Sequence, residues 1–389
     1  MKPLSLYLHI PFCQHRCAYC DFNTYTSVGA LQEQYVHALE QELLQVAALA
    51  DRAGEKRPFH TLFFGGGTPS LLSLSQLQRV LERVQKTFGL APNAEITLEA
   101  NPDTLDRGYL EGLQKIGINR ISMGVQSALA EELALLERTH DFARVIDMVS
   151  EARIVGFDNL SLDLIYGLPG QSLSSWAKSL EAVLQLAPDH MSLYCLTIEP
   201  GTPMHRWLAN GRIVKPDSDQ AAEQYQLACQ VLAEHGFEHY EISNWALPKR
   251  ECRHNLTYWR NQEYLGLGAG AHGQANGYRY GLVKRPRVYI RRIDEGEGGA
   301  FPLSTAVAES HKVSQREAMS DTVITQLRLL QEGLDLEAFT RNFGQSLDAA
   351  YDGLPSQLID WDLLVRHDGR LLLTERGRFI SNQVFYRFM

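Results

Sequence analysis

The stretch Leu4-Ser5-Leu6-Tyr7-Leu8-His9-Ile10-Pro11-Phe12-Cys13-Gln14-His15-Arg16-Cys17-Ala18-Tyr19-Cys20 runs an apolar segment of strand length straight into three cysteines spaced CxxxCxxC. Half of the chain's six cysteines fall in this one short loop, a density that packing alone does not require. Cysteine thiolate is the usual ligand of iron–sulfur clusters, and close spacings of this kind recur in cluster proteins. Three thiolates hold three corners of an iron–sulfur cube and leave its fourth iron without a cysteine from this loop. An open metal position is where a substrate or cofactor can be chelated and activated, which separates a catalytic metal site from a closed structural one. Structural zinc with His9 or His15 as fourth ligand is an alternative, although such sites usually pair two short arms far apart in sequence. A redox dithiol at Cys17 and Cys20 would leave Cys13 unexplained. Covalent c-type haem attachment needs CxxCH, and Asp21 follows Cys20.

Outward from this loop, short β-rich runs alternate with longer helical patterns, the signature of βα units and a parallel sheet. Leu4 to Ile10 is followed by an amphipathic stretch from Gln32 to Ala50, with Leu39, Leu43 and Val46 at helical spacing. Further strands are expected at Thr61 to Phe64, Glu95 to Leu98, Arg120 to Val125, Asn159 to Ile165 and His190 to Leu196. That makes six units by residue 200, short of the roughly 250 residues of a full eightfold barrel. The fold expected is therefore α/β, a partial (β/α)6 TIM-like barrel. Each run ends in polar or glycine-rich residues, and in a parallel barrel those ends share the face on which sites are built. Glu99, Gln126, Arg138 and Asp163 are thereby grouped with the cysteine loop and the turn Gly65-Gly66-Gly67-Thr68-Pro69. Each alone reads equally well as a helix cap or a solvated loop residue. The glycine run lets backbone approach a ligand and aims N–H groups at it, but no Gly-Lys-Ser/Thr follows, so it is no Walker loop. Gly268 to Gly273 matches GxGxxG, yet the glycine- and aromatic-rich segment after it is not a helix start, which argues against a dinucleotide site.

The chain's 389 residues exceed the size of a single growing core. With 37 basic against 46 acidic residues and a formal charge of -9, the balance opposes nucleic-acid binding. No secretory pattern opens the sequence and no run reaches the length of a membrane span. Free thiols and an oxidation-sensitive cluster point to the cytoplasm, where a disulfide framework is not expected.

Three parts are expected: 1–200 as the barrel core, 201–300 as a mixed α+β extension, and 301–389 as a C-terminal helical module. The extension carries Cys252-Arg253-His254-Asn255-Leu256-Thr257-Tyr258-Trp259. Histidine among aromatics could ligate a metal or haem iron, while the local chemistry favours Tyr258 and Trp259 as core anchors and His254 as a hydrogen-bonded loop residue. The module reads as helices over Glu317 to Leu330, Leu336 to Phe343 and Asp348 to Asp360, a hairpin turning at Asp368-Gly369, and a last helix from Glu375. This is a winged-helix-like pattern that the acidic balance assigns to docking or a lid. Gly296-Glu297-Gly298-Gly299 is the expected hinge.

Taken together, the CxxxCxxC array, GGGTP, Glu99-Ala100-Asn101-Pro102, Gly124-Val125-Gln126-Ser127 and Asp163-Leu164-Ile165-Tyr166-Gly167-Leu168-Pro169 resemble the coproporphyrinogen III oxidase-like branch of the radical S-adenosylmethionine proteins. Within it the chain is most similar to the HemW-type haem chaperones. The resemblance implies a 4Fe-4S cluster on Cys13, Cys17 and Cys20, its unique iron chelated by S-adenosylmethionine. Tyr7, Gly66, Gly67, Thr68 and Glu99 match positions around that cofactor, with Tyr19 beside it in the cluster loop. Gln126, Arg138 and Asp163 match positions that hold a second S-adenosylmethionine in the coproporphyrinogen enzymes. Those enzymes extend the array to CxxxCxxCxC and carry a long segment ahead of it. Here Phe22 replaces the extra cysteine, and twelve residues precede Cys13. His254-Asn255-Leu256-Thr257-Tyr258-Trp259 resembles the HNxxYW sequence associated with haem, which assigns His254 to haem. The implied function is delivery of haem cargo to apo-haemoprotein acceptors, membrane respiratory enzymes among them. Cluster and S-adenosylmethionine could gate transfer, cleave a covalent intermediate or favour a homodimer. Oxygen-independent decarboxylation of coproporphyrinogen III is the enzymatic alternative, and a cluster that merely staples the fold the structural one.

Overall fold

Alternation along each early strand decides the architecture. The computed structural model, which describes residues 3–296 and 298–389, contains six parallel strands: β1 (Leu4–Ile10), β2 (Phe59–Gly66), β3 (Leu90–Ala100), β4 (Arg120–Gln126), β5 (Leu160–Tyr166) and β6 (His190–Cys195). Successive side chains on a strand point to opposite faces. Leu4, Leu6, Leu8 and Ile10 of β1, Ile121, Met123 and Val125 of β4, and Leu160, Leu162 and Leu164 of β5 all join one apolar cluster with the helices outside. The intervening residues are polar and buried, among them Ser5, Thr61, Thr97, Arg120, Ser122, Ser161 and His190. They bond across the interior: Ser5 to Thr61 at 2.6 Å, Ser161 to His190 at 2.9 Å, and Ser122 to Asp163 at 3.2 Å. The result is the expected α/β partial barrel, with a polar inside.

Strands after residue 200 lengthen this same sheet at both edges. They are β7 (Glu238–Glu241), β8 (Asn244–Ala246), β9 (Tyr264–Leu267), β10 (His272–Ala275), β11 (Tyr278–Leu282) and β12 (Val307–Lys312). The twelve strands run β12-β11-β10-β9-β1-β2-β3-β4-β5-β6-β8-β7, with β9 parallel to β1. Phe301 and Ala306 pack in the large cluster, whereas a second cluster begins at Met319 and ends at Phe388. Glu297, within the expected hinge, lies outside the described residues.

The C-terminal cluster is built on β13 (Leu334–Asp335), β14 (Leu364–His367) and β15 (Arg370–Leu373) with short helices around them. Two expectations are corrected here. The helix expected over Asp348 to Asp360 is two, Leu347–Ala350 and Leu354–Asp360, because Asp352 and Gly353 between them take positive φ values of 49° and 77°. The first helix ends at Gln326 rather than Leu330, since Leu329 and Leu330 turn to pair with Glu241 and Tyr240 of β7.

A buried carboxylate ties the long helix Gln32–Ala53 to the added strands. Glu42 accepts hydrogen bonds from the Gly268 N–H at 2.9 Å, Tyr289 at 2.8 Å and Ser304 at 2.6 Å. Burial pushes its carboxyl up to about 7, against the three bonds that pull it down. The folded state therefore holds a proton that the unfolded chain releases near 4.5, so stability falls as pH rises from 4.5 to 7. Glu42→Gln flattens that part of the denaturation profile, whereas Glu42→Ala leaves three donors unmatched and costs about 3 kcal/mol; urea melts at pH 5 and pH 8 check both.

Candidate functional site

The cysteine loop leaves the C-terminal end of β1 and is tied down at both shoulders. Cys13 N–H donates to the Tyr25 carbonyl at 3.1 Å, and the Tyr25 N–H to Pro11 at 2.8 Å. Farther along, Ala18 bonds the Leu136 carbonyl at 3.1 Å and accepts from Met204 at 3.0 Å. The glycine turn after β2 closes beneath it: Gly67 N–H reaches the Ile10 carbonyl and Thr68 N–H the Phe12 carbonyl, each at 2.8 Å. Gly66 has φ of 113°, and a Cβ on Gly67 would stand 2.6 Å from the Phe12 carbonyl oxygen. Both positions need glycine for this close approach.

Loop and turn border a cavity of about 400 Å³ at the C-terminal mouth of the barrel. Cys13, Cys17, Cys20, Tyr19, Gly66, Gly67, Thr68, Glu99, Gln126, Arg138 and Asp163 all line it, whereas Tyr7 and His254 do not. Thr68 Oγ1 donates to Cys13 Sγ at 3.5 Å, and Arg138 donates to Cys17 Sγ at 3.5 Å and to the Gly124 carbonyl at 2.7 Å. Arg138 Nε is buried without a partner. Gln126 takes φ of 71°, a strained conformation for a non-glycine residue at the strand end. Glu99 accepts from the Gly66 N–H at 3.0 Å. Burial, with the nearby Asp163 carboxylate adding to it, pushes Glu99 up to about 7. Burial also raises the Asp163 carboxyl against its serine bonds, and raises the Cys13 and Cys20 thiols.

Among the described residues no three His, Cys, Asp or Glu side chains converge as ligands of one metal ion. An iron–sulfur cube does not ask for that, because each thiolate binds a different iron. The donor set fits such a group: three half-buried thiols on one loop, a cationic guanidinium against one sulfur, and a glycine turn that brings backbone to the opposite wall. Cys13, Cys17 and Cys20 would hold the cluster. An amino acid-bearing cofactor would find the partner of its ammonium in the Glu99 carboxylate.

Tyr7 and His254 stand elsewhere. Tyr7 faces an adjoining cavity, which shares Phe22, Gly66 and Glu99 with the first. His254 lies on the short helix Arg253–Trp259, which crosses the opposite end of the barrel interior with its first N–H groups on Glu95. It is 1% exposed, and both ring nitrogens are engaged, with Thr61 and with Tyr258, each at 2.7 Å. Its ring stacks on Phe63, and burial lowers its pKa to about 3, leaving it neutral. Tyr194 and Cys195 at the end of β6 also line the cluster cavity. The polar-strand-end rule, applied to β6 as to the other strands, would have found them.

Residues 7–183 match the Radical SAM superfamily and residues 313–380 the HemN C-terminal domain. The chain is 36% identical to the heme chaperone HemW of Bacillus subtilis, over 99% of both chains. It is 37% identical to heme chaperone HemW of Mycobacterium tuberculosis, covering 98% of this chain and 94% of that one. Among solved structures, the radical SAM coproporphyrinogen III oxidase HemN of Escherichia coli superposes with a TM-score of 0.84 and 26% identity, covering 100% of this chain and 90% of its own.

Because the Phe12 carbonyl that crowds Gly67 is backbone and cannot swing aside, Gly67→Ala is expected to cost about 1–3 kcal/mol and to spread the turn from the cysteine loop. Denaturant melts and iron bound per chain after anaerobic reconstitution test this; a variant equal to wild type in both would contradict it.

Proposed function

Since the chain belongs to the HemW family of the radical SAM superfamily, we propose that it is a haem chaperone that binds haem and hands it to apo-haemoproteins, with a 4Fe-4S cluster and S-adenosylmethionine in the first cavity. The carrying observation is the shared border: Phe22, Gly66 and Glu99 line both the cluster cavity and the larger one beside it. A cargo in the second cavity would thus touch the walls of the first. When bound, cluster and S-adenosylmethionine supply one-electron chemistry. The chain's own part is to bind and orient. Arg138 balances the Cys17 sulfur, Glu99 offers a carboxyl that ionises against an ammonium, and Gln126 and Asp163 furnish further polar contacts on the same face.

Acceptors in this reading are apo-haemoproteins, with membrane respiratory enzymes one class among them, and the chaperone works in the cytoplasm as a monomer or homodimer. No described helix is long and apolar enough to cross a membrane. The likeness to coproporphyrinogen III oxidase over the whole chain favours a second reading as a coproporphyrinogen dehydrogenase. Against it stands Phe22, 63% exposed, where the dehydrogenase pattern carries a further cysteine.

The reconstituted protein is expected to transfer haem to an apo-acceptor, followed by the acceptor's own absorption spectrum, and to yield no protoporphyrinogen from coproporphyrinogen III with S-adenosylmethionine and reductant. Turnover in the second assay without transfer in the first would reverse the order of the two readings. Glu99→Gln removes the ionisable partner of the cofactor's ammonium. It is expected to weaken S-adenosylmethionine binding at least tenfold, about 1.4 kcal/mol, at unchanged iron content; calorimetry on the reconstituted variant measures it.

A further inference from the structure

The second cavity, about 590 Å³, lies between the barrel strand β1 and the added strands β9 to β11. Its volume is in the range of ligand pockets. Five aromatic rings wall it, those of Tyr7, Phe22, Tyr258, Trp259 and Tyr264. Tyr258 and Tyr264 meet edge to face with centroids 4.7 Å apart, and such rings offer flat faces to a planar conjugated ligand. Two histidines reach it, His9 and His272. His9 has both nitrogens occupied, by the Tyr7 hydroxyl at 3.1 Å and the Asn23 carbonyl at 3.0 Å. His272, on β10, is exposed to the cavity, and its ring makes no hydrogen bond among the described residues. The ring has its place because residue 281, on the neighbouring strand, is glycine: a Cβ there would stand 3.0 Å from His272 Cε1.

The rim is cationic. Lys284 is exposed and lines the cavity, and its backbone carbonyl accepts bonds from Asn23 at 2.9 Å and Tyr25 at 3.2 Å. That pins it beside the cysteine loop. Arg279 also lines the cavity but is engaged with Asp321 at 2.7 Å. Aromatic walls, an unengaged imidazole and a cation at the rim are the three features that a metalloporphyrin with carboxylate side chains requires.

We propose that haem sits in this second cavity with its iron on His272 and a propionate at Lys284, and that His254 is a positioning residue for Tyr258, not the iron ligand. The assignment rests on the haem-chaperone reading and refines it. His254 can offer iron a nitrogen only by giving up Thr61 or Tyr258, and no part of it reaches the cavity lining. Its bond to the Tyr258 hydroxyl fixes one aromatic wall instead.

Full-length, cluster-reconstituted protein is titrated anaerobically with haemin, and the iron–imidazole signature is read from difference spectra and resonance Raman. His272→Ala is expected to lose that signature, to bind haemin at least tenfold more weakly, and to regain the signature with millimolar imidazole. His254→Ala is expected to keep it, with affinity within about threefold of wild type, and His254→Gln to restore wild-type affinity through Tyr258. Lys284→Glu is expected to weaken haemin but not its dimethyl ester. Persistence of the signature in His272→Ala would overturn the proposal, as would its loss in His254→Ala with rescue there by imidazole. If wild type takes up haemin and transfers it while either happens, only the ligand assignment falls. If wild type takes up none, the chaperone reading falls with it.

Discussion

β1 is hydrogen-bonded along both edges, to β2 on one side and β9 on the other. A strand paired twice has no free ladder on which to slip, and a slip of one residue would send Leu6 and Leu8 inward and Tyr7 and His9 out. The cysteine loop begins at the last residues of this strand, and the glycine turn that faces it begins at the end of its partner β2. Both halves of the cluster cavity thus hang from one ladder. The second cavity depends on the same strand through its other edge, so the two cavities share a single rigid wall.

What the sequence made legible is what depends on neighbours in the chain. Apolar runs ending in Glu99 and Gln126, and the run that carries Asp163, were readable because strand, end and following turn are contiguous, and the cavity gathers those residues. The polar alternates of the same strands, from Ser5 to His190, carried a further signal that the barrel interior is hydrophilic. The added strands were harder to read. β9 pairs with β1 across more than 250 positions of chain, and four-residue strands rich in glycine have little periodicity of their own. The division of the helix after Leu347 rests on two left-handed residues, Asp352 and Gly353, which a helical pattern of apolar residues passes over.

His254 is the instructive case. Locally it reads as a packed histidine, and by resemblance as a haem residue; the geometry gives it a buried place with two hydrogen bonds, behind an aromatic ring that does reach the open space. A motif marks which residues belong together without saying which of them touches the ligand. The distinction is one of layers, and layers are set by packing between segments far apart in the chain.

Asn23 has one more consequence. Its side-chain amide donates to the Ala269 and Lys284 carbonyls, each at 2.9 Å, while its own carbonyl accepts from His9. A Cβ at Gly270 would strike that amide at 2.3 Å. Three stretches distant in the chain are therefore locked to one short spacer, the two residues between Cys20 and Asn23. An insertion or deletion in that spacer would pull the amide off both carbonyls at once, so the length of the spacer is held as tightly as the glycine in the turn that follows β9.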